Sequence, residues 1–410
     1  MATGCAPPVF TEEMKKTHTI LIPRLSPLHF QFLETVFAAE GYKTALLPEA
    51  DKDAIELGLK HVNNDACFPA VVVIGQLLQA ITAGKYKAGE VALLISQTCG
   101  GCRASNYAAL LRRALTRWGL NQVPVLTLNV SENGSSGLAI GKKAMLRFLM
   151  AGCYGDALMR MTNRLSPYEK EQGSIQALAD KWSQCAKENI KSGNIFKFNL
   201  NILKMIREFD AVPIDETKKK PRIGWVGEIL LKYHPDANNH AAEIIKSEGG
   251  EVVIPDFTDF ILYDFYDHVF NYRHMTGSWK AAASGELGIA VSELFRLPLH
   301  LGFRLSKRFE PPLFFKELKR KTKRIISLGH QTGEGWLLTG EIVELLDAGV
   351  NNVLCVQPFG WLPNHITGKG FVNEIKSRYP DANIIALDYD PGASENNQNK
   401  RIKLMMSVAK

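Results

Sequence analysis

The chain has 410 residues, of which 46% are apolar and 22% are charged, and its formal net charge is +7. This composition is typical of a globular protein with two or three domains, and it excludes a disordered chain. No apolar run approaches the roughly 18 residues that a membrane-spanning helix needs, and residues 1–16 lack the pattern of a secretory signal. We therefore expect a cytoplasmic protein with no membrane span.

Residues 17–135 alternate short apolar strands with amphipathic helices. The sequence predicts helices from about Ser26 to Glu40, after Cys67, and from about Arg103 to Trp118. The predicted strands are THTILIP, KTALLP, VALLIS and PVLTLN. Buried strands that alternate with helices of ten or more residues predict a parallel sheet covered on both faces. This segment is the predicted N-terminal α/β domain.

Residues 136–215 are predicted to form a helical connector, because GKKAMLRFLMAGCYGDALMRM is apolar nearly all round and should pack between domains. Residues 221–410 form a second predicted α/β domain, interrupted by an aromatic-rich helical insertion at 257–320. Its predicted strands are RIGWVG, EVVIP, RIISLG, NNVLCVQ and NIIALDYD. The predicted fold is α/β, with two flavodoxin-like, doubly wound parallel-sheet domains.

The seven cysteines, an odd number in a long chain, predict reduced thiols or metal ligands rather than a disulfide framework. Two basic runs, 218–222 and 316–324, fit either a solvated face or a surface for an acidic partner. Nucleic acid is not an expected partner, because no basic stripe is interleaved with stacking aromatics.

The most informative cysteines follow predicted strands, where α/β sheets bind their ligands. Cys99 and Cys102 lie in the loop QTCGGCR between VALLIS and a helix, and Gly100 and Gly101 allow a tight turn beside a bulky cofactor. Cys102 is predicted at a helix N-terminus, where the helix dipole favours a thiolate.

Two further thiols are predicted to face this loop. Cys67 precedes Pro69 at a second predicted helix start, and Cys355 is predicted to end a strand of the second domain. Sulfur from two domains facing one cleft suits an iron–sulfur cluster. A thiol–disulfide oxidoreductase using Cys99 and Cys102, or a zinc site, fits the same spacing. Cys153 and Cys185, inside helical patterns, are interpreted as core residues.

Several long motifs resemble those of one family: NNDACFPA, QTCGGCRASNY, GWVGEILLKYHPDANNH, GHQTGEGWLLTGE, QPFGWLPNHITGKG and ALDYDPGASENNQNKRIKLM. Together they resemble the 2-hydroxyacyl-CoA dehydratases and their activase-related proteins, which include the double-cubane-cluster reductases. The similarity covers about Thr17 to Lys410. Within that family the chain resembles the C-terminal module of the large activase-related proteins.

The resemblance implies an oxygen-sensitive [4Fe-4S] cluster or double-cubane [8Fe-9S] cluster. It also implies a separate ATP-dependent activase of the actin/Hsp70-like fold, which carries its own [4Fe-4S] cluster and supplies low-potential electrons. A homodimer or larger complex is compatible with it. The implied activity is the reduction or dehydration of a small substrate; the alternative is a non-catalytic electron-relay subunit.

The family's cluster cysteines match Cys67, Cys102 and Cys355. Trp361 stands where cysteine is common, and Cys99 stands where glycine is common. We predict that Cys99 replaces the lost ligand. Other candidate residues follow: the cofactor-binding residues Gly100, Gly101, Arg103 and Asn106, and Glu334 and His365 for proton transfer.

Overall fold

The computed structural model describes residues 8–63, 66–97, 102–128, 138, 140–215, 217 and 219–409. Within these residues it contains two sheets, each of four parallel strands. The strands fall in the two predicted α/β segments, so the α/β fold class is confirmed. No helix in these ranges is long and apolar enough to cross a membrane.

The first sheet has the strand order β2-β1-β3-β4. The elements of this half are, in chain order, α1 (Glu12–Thr17), β1 (Thr19–Ile22), α2 (Pro27–Ala39), β2 (Lys43–Leu46), α3 (Lys52–His61), α4 (Phe68–Thr82), β3 (Val91–Ser96), α5 (Tyr107–Arg117) and β4 (Val125–Leu128).

Burial and capping explain why these residues form these elements. All residues of β3 except the last are buried, which fits a central strand covered on both faces. Asp51 caps α3 by accepting a hydrogen bond from the Ala54 N–H, and Pro69 occupies the first turn of α4. Most of α4 is buried, so it packs fully into the first half.

The connector consists of three helices, α6 (Lys142–Leu165), α7 (Ser174–Ser192) and α8 (Ile195–Asp210). The central part of α6 is buried on all sides, as its apolar sequence predicts. These helices pack in an apolar cluster that includes Tyr154, Trp182 and Phe198, together with Phe32 of α2 and Phe303 of the second half.

The second sheet has the order β6-β5-β7-β8, which repeats the pattern of the first. Its half contains β5 (Arg222–Gly227), α9 (Ile229–Tyr233), α10 (Ala241–Ser247), β6 (Glu251–Val253), α11 (Phe257–His274), α12 (Trp279–Leu305), α13 (Phe315–Thr322), α14 (Gly335–Asp347), β7 (Asn352–Pro358), α15 (Leu362–Thr367), α16 (Val372–Arg378), β8 (Asn383–Tyr389) and α17 (Glu395–Ala409).

The predicted strand RIISLG is wrong, because these residues form turns after α13. The N–H groups of Ile325 and Ile326 donate to the carbonyl of Thr322, so they continue the helical turn instead of joining a sheet. Ile326 and Leu328 are nevertheless buried, in a cluster with Trp336. Ile326 and Leu328 are two positions apart, which is the spacing of residues on one face of a strand, so the turn has the sequence pattern of a strand.

The two halves are joined by a buried polar contact and by shared apolar packing. Asp156 of the connector accepts hydrogen bonds from the N–H groups of Phe257 and Thr258 and lies 2.9 Å from the Nε2 atom of His29. One continuous apolar cluster contains residues of both sheets, among them Leu93 and Trp225. These contacts fix how the two sheets face each other.

Candidate functional site

The first half places two thiols at the carboxyl edge of its sheet. A helix that returns the chain to the next parallel strand begins at this edge. Cys67 is the residue before α4, and Cys102 lies between β3 and a short 3-10 helix, Arg103–Asn106. Both thiols therefore lie where ligands of α/β sheets bind.

The second half places two carboxyl groups and an indole at the corresponding edge of its own sheet. Glu228 follows β5 directly, Glu334 precedes α14, and Trp361 lies between β7 and α15. All three side chains are at least nine-tenths buried. The carboxyl edges of the two sheets face each other across this site.

A cavity of about 30 Å³ lies between the two edges, which leaves room for roughly two water molecules. The two thiols and the two carboxyl groups all line it. Its lining residues are Cys67, Pro69, Cys102, Ala104, Tyr107, Glu228, Ile229, Phe260, Gly333, Glu334, Pro358 and Trp361.

The thiol of Cys67 contacts the phenol of Tyr107, with 3.0 Å between Sγ and the phenol oxygen. Burial raises the pKa of Cys67 to about 11, although the hydrogen bond to Tyr107 opposes this shift. Burial also raises the pKa of Tyr107 well above its usual value, so the phenol keeps its proton and can donate it to sulfur.

Cys102 differs from its sequence prediction in one respect. The prediction of an acidic thiol is wrong, because burial raises the pKa of Cys102 above its usual value. Hydrogen bonds from the Ala104 backbone and the Trp361 side chain lower this pKa, but by less than burial raises it. The 3-10 helix that follows runs directly into α5, but desolvation of the buried thiol outweighs the effect of this helix start. Neither described thiol in the cavity is an activated nucleophile of the kind that thiol oxidoreductases use.

Glu228 and Glu334 form a buried carboxyl pair on the other wall. Burial raises the pKa of Glu228 to about 7. Burial, followed by the charge of Glu228, raises the pKa of Glu334 well above its usual range. The Ile229 N–H donates to Glu334 at 2.7 Å, and the Leu231 N–H donates to Glu228 at 3.0 Å. Burial therefore favours the protonated form of Glu334, whose carboxyl group lines the cavity.

The donor set fits a metal centre in part. Two thiols on separate loops share one cavity, and thiolates are the ligands that iron–sulfur clusters use. A bound cation would stabilise both thiolates and so oppose the effect of burial, which raises the pKa values of Cys67 and Cys102. Across the described ranges, no group of three or more His, Cys, Asp or Glu side chains is arranged to hold a metal ion. Cys67 and Cys102 are thus the two predicted ligands that the described residues bring together.

Cys355 lies apart from this pair. Its predicted position at a strand end is wrong, because β7 continues three residues further to Pro358. The side chain is 1% exposed and packs in the apolar cluster beneath α14, where its thiol donates to Asn364 Oδ1 at 3.3 Å. Cys355 does not line the cavity, and its role as a ligand stays a prediction from the resemblance.

The structure brings together only some of the other predicted residues. Glu334 lines the cavity, whereas His365 is half-buried on α15 and Arg103 and Asn106 are exposed; none of these three lines the cavity. The predictions for Cys99, Gly100 and Gly101 concern residues outside the described ranges. Cys153 is buried in the connector, as expected for a core residue.

Tyr107 and Phe260 are among the cavity residues to which the sequence reasoning gave no role. Tyr107 lies five residues after Cys102 within the motif QTCGGCRASNY, so a local signal for it existed. Phe260 comes from α11 in the helical insertion, and no local pattern connects it with the cysteines. Its position depends on how the insertion packs against the sheets.

A larger cavity of about 290 Å³ lies at the opposite edge of the second sheet, near the starts of β5 and β6. Its wall contains several cations, but they are already paired: Arg164 with Glu251, Arg222 with Glu251, and Lys321 with Asp347. No cysteine is among the described residues that line it.

No protein-family model and no curated protein matches this chain.

Proposed function

We propose that the cavity between the two sheets binds an iron–sulfur cluster through Cys67 and Cys102, and that the chain accepts low-potential electrons there. The observation that carries this proposal is the convergence of two thiols, from two separate loops, on one buried cavity at the carboxyl edges of both sheets. When bound, such a cluster accepts and passes on single electrons.

We also propose the class of protein, on the basis of the family resemblance. The chain would be a 2-hydroxyacyl-CoA dehydratase-like or double-cubane-reductase-like component, reduced by a separate ATP-dependent activase. The strand order of each sheet is that of the first four strands of a flavodoxin-like fold, which supports this family. Cys99, three positions before Cys102, is the proposed third ligand, whereas the buried position of Cys355 inside β7 favours a structural role for this thiol.

The chain's own residues have distinct roles in this proposal. Cys67 and Cys102 hold the cluster, and Tyr107 donates a hydrogen bond to the sulfur of Cys67. Hydrogen bonds to ligand sulfur raise the reduction potential of such centres. Glu334 keeps a proton at the cavity wall, where it can protonate a small substrate.

The proposal is tested by anaerobic expression and reconstitution with iron and sulfide. We expect a brown protein with absorbance near 400 nm, about four or more irons per chain, and a spin-resonance signal on reduction. Cys67→Ser and Cys102→Ser should each lose most of this iron. Cys153→Ser and Cys185→Ser, which change thiols elsewhere, are the matched controls and should keep it.

Two results would reject the proposal. A colourless wild-type protein without iron after reconstitution excludes the cluster, and stoichiometric zinc in its place assigns the thiols to a zinc site. The ATPase partner is tested separately: reduction should require the activase, ATP and a low-potential donor together. Efficient ATP hydrolysis by this chain alone would contradict that division of roles.

A second candidate function is a non-catalytic electron relay, and the lining of the cavity favours it. No Lys, Arg or His is among the described residues that line it, so it offers no cationic partner for the phosphates of a CoA ester. A relay predicts that the reduced protein turns over no acyl-CoA or small reducible compound, yet reduces a copurifying enzyme. Glu334→Gln separates the two functions, because it should slow substrate turnover and leave electron transfer to a partner nearly unchanged.

A further inference from the structure

Helix α12 is apolar on two opposite faces. One face is buried in the protein and includes Phe295, Leu299 and Phe303. The opposite face carries leucines that are 45 to 74% exposed: Leu287, Leu294, Leu297, Leu301 and Leu305. We call these five residues the outer leucine stripe. A helix that is apolar on both sides is normally covered on both sides.

The spacing of the stripe is that of a helix-pairing surface. Leu287, Leu294 and Leu301 are seven residues apart, and Leu297 lies between the last two at the intermediate position of a heptad. The stripe covers about 27 Å of helix length, at 1.5 Å per residue. Four of the five leucines therefore share a period that suits packing against another helix, because it keeps the apolar seam facing its partner.

The neighbouring helix α8 enlarges this surface. It packs beside α12, with 5.7 Å between the ring centres of Phe198 and Phe295. Its outward side chains Phe196 and Leu200 are 84% and 58% exposed. Seven large apolar side chains on two adjacent helices present an area of the order of the 800 Å² per partner that a stable dimer buries.

The charges beside the stripe favour a second copy of this chain in an antiparallel arrangement. Glu286, which pairs with Arg273 of the same chain at 3.0 Å, lies near one end of the stripe, and Arg304 lies near the other. Both Glu286 and Arg304 are exposed. Antiparallel pairing of two α12 helices around a twofold axis between Leu294 and Leu297 brings Glu286 of each copy close to Arg304 of the other. A lipid surface is disfavoured, because interfacial helices are rich in Lys and Arg along their polar face, whereas here Glu286 and Glu293 border the stripe.

We infer that this protein forms a twofold symmetric homodimer through the outer leucine stripe of α12, with α8 at its margin. This inference rests on α12 and α8 alone and is independent of the proposed cluster. The interface lies on the helical insertion and the connector, so dimerisation leaves the cavity thiols unchanged in each copy.

The test is sedimentation equilibrium of the full chain over a range of concentrations. The wild type should have twice the 45.6 kDa chain mass. Leu294→Glu combined with Leu301→Glu should be monomeric, with at least about 100-fold weaker association, because each substitution acts twice in a symmetric dimer. Leu404→Glu is the matched control, since Leu404 on α17 is 61% exposed, like Leu294; this variant should remain a dimer.

The antiparallel arrangement is tested by exchanging charges. Glu286→Arg and Arg304→Glu should each weaken the dimer, and the double variant should restore it. A wild type that is monomeric at 100 µM overturns the inference, and so does a dimer that persists in the double leucine variant. A monomer that sediments with anionic vesicles through the stripe would assign the surface to a membrane and overturn it equally. Circular dichroism of each variant distinguishes loss of association from loss of folding.

Discussion

The two halves of the protein share one strand order, but they present different chemical groups at their carboxyl edges. The first half contributes the thiols of Cys67 and Cys102, both on loops, whereas the second contributes the carboxyl groups of Glu228 and Glu334 and the indole of Trp361. The one cysteine of the second half, Cys355, lies inside a strand and away from the cavity. A shared topology therefore sets where a site forms, and the loop residues set its chemistry.

The two halves also differ in the partners of their buried ionisable groups. The described thiols of the first half have only a phenol, backbone N–H groups and the Trp361 side chain as hydrogen-bond partners. In the second half, Lys232 is buried against Glu341 at 2.6 Å, while among the described residues Glu228 and Glu334 have no such direct cation partner. One wall of the cavity thus presents thiols and the other presents carboxyl groups whose pKa values burial raises, and the predictions below address this asymmetry.

The largest expected contrast is between the cysteines of the two halves. From their positions we expect Cys102→Ser to lose most of its iron after anaerobic reconstitution, and Cys355→Ala to retain it. The second change should cost only about 1 kcal/mol of unfolding free energy, for the loss of a small buried group. Iron analysis and denaturant titration measure the two effects. Equal loss of iron in both variants would return Cys355 to the ligand set.

The junction between the halves is tested at Asp156. Burial alone raises the pKa of this carboxyl group, but hydrogen bonds from His29 and Thr258 lower it overall, so Asp156 is ionised at pH 7. We expect Asp156→Ala to reduce the unfolding free energy by about 3–5 kcal/mol, because it leaves the Phe257 and Thr258 donors buried without an acceptor. Asp180→Ala, at an exposed position on α7, should change it by less than about 0.5 kcal/mol. Similar unfolding curves for both variants would show that Asp156 does not join the halves.

The second half depends on a glycine at the end of β5, where the first half has Pro23 after β1. Gly227 has φ +145°, and a Cβ atom there would lie 1.9 Å from the carbonyl oxygen of Val356. We expect Gly227→Ala to cost about 3 kcal/mol, since β5 and β7 must separate. Gly249→Ala is the control: it also has a positive φ, but nothing lies within 4 Å, so it should cost about 1 kcal/mol. Equal losses of stability for the two variants in thermal unfolding would show that the contact with the Val356 carbonyl is not the cause.

The smallest expected effect is a pH dependence located in the second half. Burial lowers the pKa of His234 to about 4, and its Nδ1 accepts a hydrogen bond from the Ala237 N–H. In the unfolded chain His234 takes up a proton near pH 6.5, whereas in the native protein it does so only near pH 4. The contribution of neutral His234 to stability is therefore complete above pH 6.5 and is lost as the pH falls toward 4.

Between pH 7 and pH 4, we expect the unfolding free energy of His234→Gln to fall by about 2 kcal/mol less than that of the wild type. Urea unfolding at the two pH values measures this difference. The exposed His240→Gln should follow the wild-type profile. Identical acid sensitivity of all three proteins would contradict the assignment to His234.

Much of the fold could be predicted from the sequence because its signals are local. Apolar runs bounded by turns located β3 and β7, and Pro69 marked the start of α4, so the edge positions of Cys67 and Cys102 followed. The failures were local as well: RIISLG alternates buried residues without strand pairing, and the predicted strand end at Cys355 fell three residues short. Periodicity reports which side of a segment is buried, but not what it packs against.

The sequence by itself determined the alternation of strands and helices, the two α/β halves, and the thiols placed after strands and before helices. Only the tertiary structure decided which of these groups meet. Ile229 and Glu334, 105 residues apart, are joined by a hydrogen bond, and Cys67 contacts Tyr107 across 40 residues. Burial then reversed the acidity expected for Cys102. Such contacts depend on how two sheets, a connector and an insertion pack together, and desolvation depends on that packing rather than on any neighbour in the chain.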